Sequence, residues 1–159
     1  MAKTLIKDGT VLTFSSGSDV KNADILVEGN FIKEIRPNIN VESDVNIIDA
    51  EKKIVMPGFV NAHIHTWQTG LRGLATDWTG TNYFRAMHAG LANFFTPDDI
   101  FIANQVGAIN QLNNGVTTMV DWHHNNPTPD HSEAAIDGLE DTGVRAVFLH
   151  GSAKPDPKP

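Results

Sequence analysis

Pro57-Gly58-Phe59-Val60-Asn61-Ala62-His63-Ile64-His65 is the stretch on which the reading of this chain turns. Pro-Gly punctuates the chain as a turn, and the apolar run behind it ends in two histidines separated by one isoleucine. In an extended strand the side chains alternate, so His63 and His65 project from one face, with Asn61 one step earlier on the same side. Two imidazoles on one face can share a metal ion at bond lengths of about 2.0–2.1 Å. Taken alone, the pair is served as well by structural histidines, because two ligands do not complete a zinc site.

The wider phrase carries more. Val55-Met56 runs into this stretch, and Leu71-Arg72-Gly73 follows it. In that form it resembles the amidohydrolase superfamily, and most closely its aminohydrolase and chlorohydrolase branch, which acts on nitrogen heterocycles. The resemblance extends over nearly the whole chain. It implies an α/β fold: a small N-terminal β-sandwich part over residues 1–57, then the first three strands and associated helices of a metal-dependent (β/α)8 barrel over 58–159. It also implies that His63 and His65 are the first two metal ligands. A closed barrel takes about 250 residues and at least about 200. Only 101 residues follow Gly58, so the chain is expected to be the N-terminal part of a longer enzyme.

Composition narrows the function classes. With 12 Lys and Arg against 19 Asp and Glu, the formal charge is −7. That balance argues against a nucleic-acid partner, whose phosphates call for clustered cations, and suits a small-molecule substrate. The sequence contains no cysteine, so a disulfide framework and a thiolate metal site are both excluded. No apolar run reaches the length of a membrane span. The start, Met1-Ala2-Lys3-Thr4-Leu5-Ile6-Lys7-Asp8, has no signal-peptide core, so cytoplasmic residence is expected. Phosphate loops of the Gly-x-Gly-x-x-Gly or Gly-Lys-Ser/Thr kind and a Gly-x-Ser-x-Gly elbow are likewise absent.

Along residues 1–56 the pattern predicts short strands. Thr4–Lys7 and Thr10–Phe14 flank Asp8-Gly9 as one hairpin, and Ala23–Glu28 and Phe31–Ile35 flank Gly29-Asn30 as another. Ser15–Asp19 reads as a loop, and Val45–Asp49 and Lys53–Met56 complete the set. Without C-terminal strands to cover it, this part is expected to expose apolar surface. Lys52 stands where the family often has Gly, which leaves the local turn type open.

After His65, Thr66–Trp78 reads as a long connection too irregular for a helix. Loops that follow barrel strands lie at the catalytic face. Gln68 offers a donor and an acceptor to an amide-like ring edge, and Trp67 an apolar plane; packing is the competing role for Trp67. Tyr83–Leu91 reads as helical, with His88 at the surface or structural. Relatives that bind a nucleoside carry a Glu near the position of Ala92, so a free heterocycle is favoured. Thr96-Pro97-Asp98-Asp99 starts a helix whose Ile102, Val106, Ile109 and Leu112 form a buried stripe, with Asn113-Asn114-Gly115 as its stop.

Val116–Asp121 is expected to be the second barrel strand, delivering Trp122-His123-His124 to the catalytic face. Only one of the two histidines can face inward, and the sequence leaves open which. Trp122 is assigned to the pocket wall. Asp130–Glu133 resembles a helix start, with Gly143 as the stop. Val144–Leu149 is the third strand, ending at His150, a second candidate substrate contact by analogy with relatives. Ser152–Pro159 reads as Pro-rich loop.

The resemblance implies hydrolytic deamination or dehalogenation of a nitrogen heterocycle, with one divalent ion, zinc or iron, making water nucleophilic near neutral pH. The remaining ligands and the catalytic acid–base groups are expected beyond Pro159, so the chain alone should bind metal weakly and turn over nothing. Self-association through the barrel is compatible with the family. Two alternatives are a cyclic-amide hydrolase of the dihydroorotase or hydantoinase type and a non-catalytic β/α binding domain. The first resembles a His-x-His followed two residues on by Arg, where this chain has Trp67.

Overall fold

The computed structural model describes residues 2–15 and 20–151, with the backbone alone at 20 and 21. It divides into two compact units, Met1–Pro57 and Gly58–Pro159.

In the first unit, five strands form one mixed sheet. These are β1 (Lys3–Leu12), β2 (Val20–Glu28), β3 (Phe31–Arg36), β4 (Asn46–Asp49) and β5 (Ile54–Val55). Their order is β3-β2-β1-β4, and β5 also pairs with β1. The hairpin at Gly29-Asn30 forms as predicted, with Glu28 opposite Phe31 and Gly29 at φ 59°.

The hairpin expected at Asp8-Gly9 does not form: β1 runs straight through it. Asp8 takes φ 61° and the register against β2 shifts between Ile6 and Gly9, a bulge rather than a turn. Its N–H is held by the buried Asp24 carboxylate at 2.8 Å, whose other oxygen accepts from Ile39 N–H. Residues 16–19 of the expected loop lie outside the described residues. The core of the unit is Val11, Ala23 and Ile25, flanked by Ile6, Val27 and Val55. Phe31, Ile32, Ile47 and Ile54 stand exposed, in keeping with the open surface expected. Lys52 adopts φ 62°, so the turn keeps a conformation natural to glycine although a lysine occupies it.

In the second unit, β6 (Phe59–Ile64), β7 (Val116–His123) and β8 (Arg145–His150) form a parallel sheet in that order. Two helices, α2 (Pro97–Asn113) and α3 (Pro129–Glu140), are the crossovers between them. The long β6–α2 connection is not irregular throughout. Thr66–Leu71 winds as a 3₁₀ helix, α1 (Gly80–Tyr83) continues into a π turn over Phe84–His88, and Leu91–Phe94 is again 3₁₀.

Helix α2 begins as its sequence dictates. The Thr96 hydroxyl accepts from Asp99 N–H, and the Asp99 carboxylate accepts from Thr96 N–H at 2.9 Å, closing a capping box with Pro97 in the first turn. Its buried face differs from the predicted stripe. Ile102, Val106 and Ile109 are exposed, and the helix instead buries Ile100, Ala103, Asn104, Gly107 and Ala108. Small residues win because they let the helix lie close. A Cβ at Gly107 would come within 2.6 Å of the Thr66 and Thr69 side chains. A Cβ at Gly138 on α3 would come within 2.5 Å of the Phe101 carbonyl.

Helix α3 starts one residue earlier than Asp130, at Pro129, with Thr128 as its N-cap residue. Two apolar clusters hold the layers together: Trp67, Met87, Ala92, Ile100 and Ala135 in one, and Ala108, Met119, Leu139 and Val144 in the other. Among the described residues no helix is long and apolar enough to cross a membrane.

Candidate metal centre

The rings of His63 and His65 come together, with centroids 4.8 Å apart and planes at 77°. The route to that pairing is not a regular strand. Asn61 pairs in register with Met119 and Ile64 with Asp121, and the ladder is irregular between them. One extra residue therefore sits in the strand, and the face changes. Asn61 does not join the two histidines as expected. Its amide donates to Gln111 Oε1 on α2 at 3.0 Å, and its carbonyl oxygen accepts from His63 N–H at 3.2 Å. Beyond the irregularity Ile64 packs toward the helices, leaving His63 and His65 on the open side of the sheet.

Strand β7 sorts its residues by the same alternation. Met119, Asp121 and His123 are fully buried on the helix side. Trp122 meets the His63 ring at 5.2 Å and the His65 ring at 6.0 Å. His124, just past the strand, meets His65 at 4.2 Å. The sequence left open which of His123 and His124 faces the histidine pair; geometry selects His124. His123 lies instead against Phe148, with neither ring nitrogen hydrogen-bonded; its Nδ1 is 3.4 Å from Asp121 Oδ2.

A second contact fixes the tautomer of His65. Its Nδ1 lies 2.7 Å from the Trp122 carbonyl oxygen. A carbonyl only accepts, so Nδ1 carries a proton, and in the neutral ring the lone pair then sits on Nε2. An outer hydrogen bond of this kind is how metal-ligating histidines are oriented. The donor set thus fits a divalent ion at two positions. Among the described residues no group of three His, Cys, Asp or Glu side chains is arranged to hold one.

The other residues singled out from sequence fare unequally. Gln68 is half-buried and donates to the Tyr83 hydroxyl at 2.7 Å, so its amide is already oriented. Trp67 is wholly enclosed and offers no plane to a ligand; it is a packing residue whose edge meets Phe95 and His124. His150 stands in register with His123, on the helix side of the sheet, so strand geometry turns it away from Trp122. His88 was expected at the surface or in a structural role, yet the π turn brings its ring within 4.5 Å of His124 and 5.0 Å of Tyr83. Nothing in the sequence marks an i→i+5 turn, so this approach was not legible there. Burial first, then the neighbouring His65, His88 and His123, pushes His124 down to about 3, so its ring is neutral near pH 7.

Comparison with known proteins identifies the family. The amidohydrolase family pattern matches residues 54–156, and the chain belongs to that family. Over 152 residues it is 33% identical to the 5-methylthioadenosine/S-adenosylhomocysteine deaminase of Thermococcus kodakarensis, spanning 92% of this chain and 33% of that protein. The 5'-deoxyadenosine deaminase of Methanobrevibacter smithii is also 33% identical, over 92% of this chain and 32% of its own. Among solved structures, the atrazine chlorohydrolase of Arthrobacter aurescens complexed with zinc superposes with a TM-score of 0.84 at 25% identity, over 91% of this chain and 35% of that one. The chain therefore spans about a third of the length of the relatives it matches.

Proposed function

We propose that the whole protein is a metal-dependent hydrolase that displaces an amino or halide group from a ring carbon of a nitrogen heterocycle. The observation that carries this reading is the His63–His65 ring pair, with the Nδ1 side of His65 engaged by the Trp122 carbonyl, which leaves Nε2 as the nitrogen that would bind an ion. His63 and His65 would hold one divalent ion, zinc in the first instance. When bound, that ion supplies the Lewis acidity that makes water nucleophilic near neutral pH. Two ligands fall short of a tetrahedral site, so further ligands come from elsewhere in the protein.

The rest of the cluster suits a flat, electron-poor ring. Trp122 gives an apolar plane beside the histidines. Gln68, held by Tyr83, has its carbonyl oxygen left to accept from an exocyclic amine. The His124 ring, neutral near pH 7, lies beside His65 without adding cationic charge, and the His88 ring packs next to it.

In this reading the second unit is the opening of a (β/α)8 barrel and the first unit is part of a β-sandwich. The face of the parallel sheet opposite α2 and α3 carries Val60, Trp122, Val147 and Leu149, all exposed. Parallel sheets bury both faces, which supports further strands and helices closing over this one. Deaminases of adenosine derivatives and a triazine chlorohydrolase are both among the relatives, so amine and chloride are the two leaving groups to test.

The test is zinc content together with release of ammonia from 5'-deoxyadenosine and of chloride from a chlorotriazine, using the full-length protein. Stoichiometric zinc with either product is expected. His65→Ala should lower kcat/KM by more than about 100-fold, the scale on which lost ligand or orienting groups act. A metal-free protein that binds heterocycles without turnover would instead be a binding module.

A further inference from the structure

We propose that Asp121 is a positioning residue for His65, acting through the backbone of Thr66. This rests on the reading of His65 as a metal ligand and adds to it the group that sets where that ligand points. The carboxyl of Asp121 is fully buried on the helix side of β7. Its Oδ1 accepts from Thr66 N–H at 2.9 Å, and its Oδ2 accepts from Asn104 Nδ2 at 3.2 Å. Asn104, itself fully buried on α2, is fixed in turn by donating to the Ala135 carbonyl on α3 at 3.0 Å.

The next residue of β7, Trp122, holds the His65 ring through its carbonyl. Two consecutive residues of one strand thus grip His65 from two sides, the main chain just after it and the ring itself. Thr66 is also where β6 gives way to the 3₁₀ turn, so its N–H has no ladder partner and a side-chain acceptor must supply one. An enclosed carboxyl is a costly choice for that task, since burying such a group is unfavourable unless it is fully bonded. Packing alone would be served by a smaller polar or apolar residue. The carboxyl is what reaches Thr66 and Asn104 at once, tying the ligand-bearing strand end to both helices.

The experiment uses full-length protein and two readouts. The first is the ¹⁵N spectrum of the histidine rings in metal-free protein, with the His65 signals assigned by comparison with His65→Gln. The second is zinc affinity by competition with a chromophoric chelator. The parent should show His65 with the proton on Nδ1. Asp121→Ala should mix the two tautomers and weaken zinc binding about 10- to 100-fold, as loss of an outer-shell partner does. Asp121→Asn keeps an acceptor for Thr66 N–H and should stay nearer the parent on both measures.

Met119→Ala, on the same buried face, should lower the melting temperature and leave zinc affinity and tautomer unchanged, which separates positioning from general stability. A parent His65 protonated on Nε2, or a folded Asp121→Ala variant with parental affinity and tautomer, overturns the proposal. If Asp121→Ala does not fold, the parent tautomer and Asp121→Asn decide. If the parent binds no zinc, the hydrolase reading fails while the tautomer measurement still judges the clamp.

Discussion

The two sides of β7 make opposite use of the same eight-residue strand. Toward the helices, Met119, Asp121 and His123 are enclosed completely, and the polar members are bonded to α2 and to the start of the 3₁₀ turn or packed on Phe148. Toward the open side, Trp122 is 46% exposed and stands over the His63 and His65 rings. One side sets positions and the other meets whatever enters. Substitutions should separate accordingly, with stability lost on the enclosed side and function lost on the open one.

The sharpest test compares Met119→Ala with Trp122→Ala in urea unfolding. Emptying the Met119 site should cost about 2–5 kcal/mol, whereas truncating Trp122 should change stability by only about 0.5 kcal/mol. Equal losses would erase the distinction between the two sides.

Gly107→Ala probes the same enclosed layer from α2. The added methyl meets Thr66 and Thr69, and overpacking of about 1–3 kcal/mol should outweigh the roughly 1 kcal/mol that alanine gains in helix propensity. The net loss is expected at up to about 2 kcal/mol by thermal unfolding, with the start of the loop after His65 displaced.

Thr96→Ala should cost about 1 kcal/mol through the helix cap, and its effect carries a pH signature. Hydrogen bonds from the Thr96 hydroxyl and backbone hold Asp99 below the usual carboxylate range. A carboxylate depressed in the folded state stabilises above its unfolded pKa and stops doing so as pH falls through the folded value. The gap between parent and variant should therefore be full at pH 7 and shrink below about pH 4. Smallest of all, Lys52→Gly in the first unit should raise stability by about 0.5–1 kcal/mol, because a lysine at φ 62° is relieved of a left-handed backbone. It serves as the control that touches neither side of β7.

The sequence made some of this legible and not the rest, for physical reasons. The βα order and the capping box at Thr96 rest on short-range rules, and those rules operate here; His63 and His65 do meet, but beyond an extra residue in the strand that simple alternation does not foresee. The burial of α2 was misread because its packing face is built from Ala103, Asn104, Gly107 and Ala108, which add almost nothing to a hydrophobic pattern, while Ile102, Val106 and Ile109 dominate it from the outside. Asp8-Gly9 has the residues of a tight turn, yet the side chain of Asp24, sixteen positions away, satisfies the bulge instead. The contacts made by Asp121 and His88 were not legible for the same reason. Their partners, Thr66 and His124, are distant in sequence and meet them only once the strands are laid side by side.

The extra residue between Asn61 and Ile64 works as a phase break in β6. Upstream of it, mutation is answerable to α2 through Asn61 and Gln111; downstream, to the ring pair and to the β7 residues that hold it. Each half can drift without dragging the other out of step. Deleting Ala62 would restore an unbroken alternation and force the two halves to compete for one orientation. A strand that looks like a single word is spelled as two, and that seam is what lets a scaffold change while its chemistry stays in place.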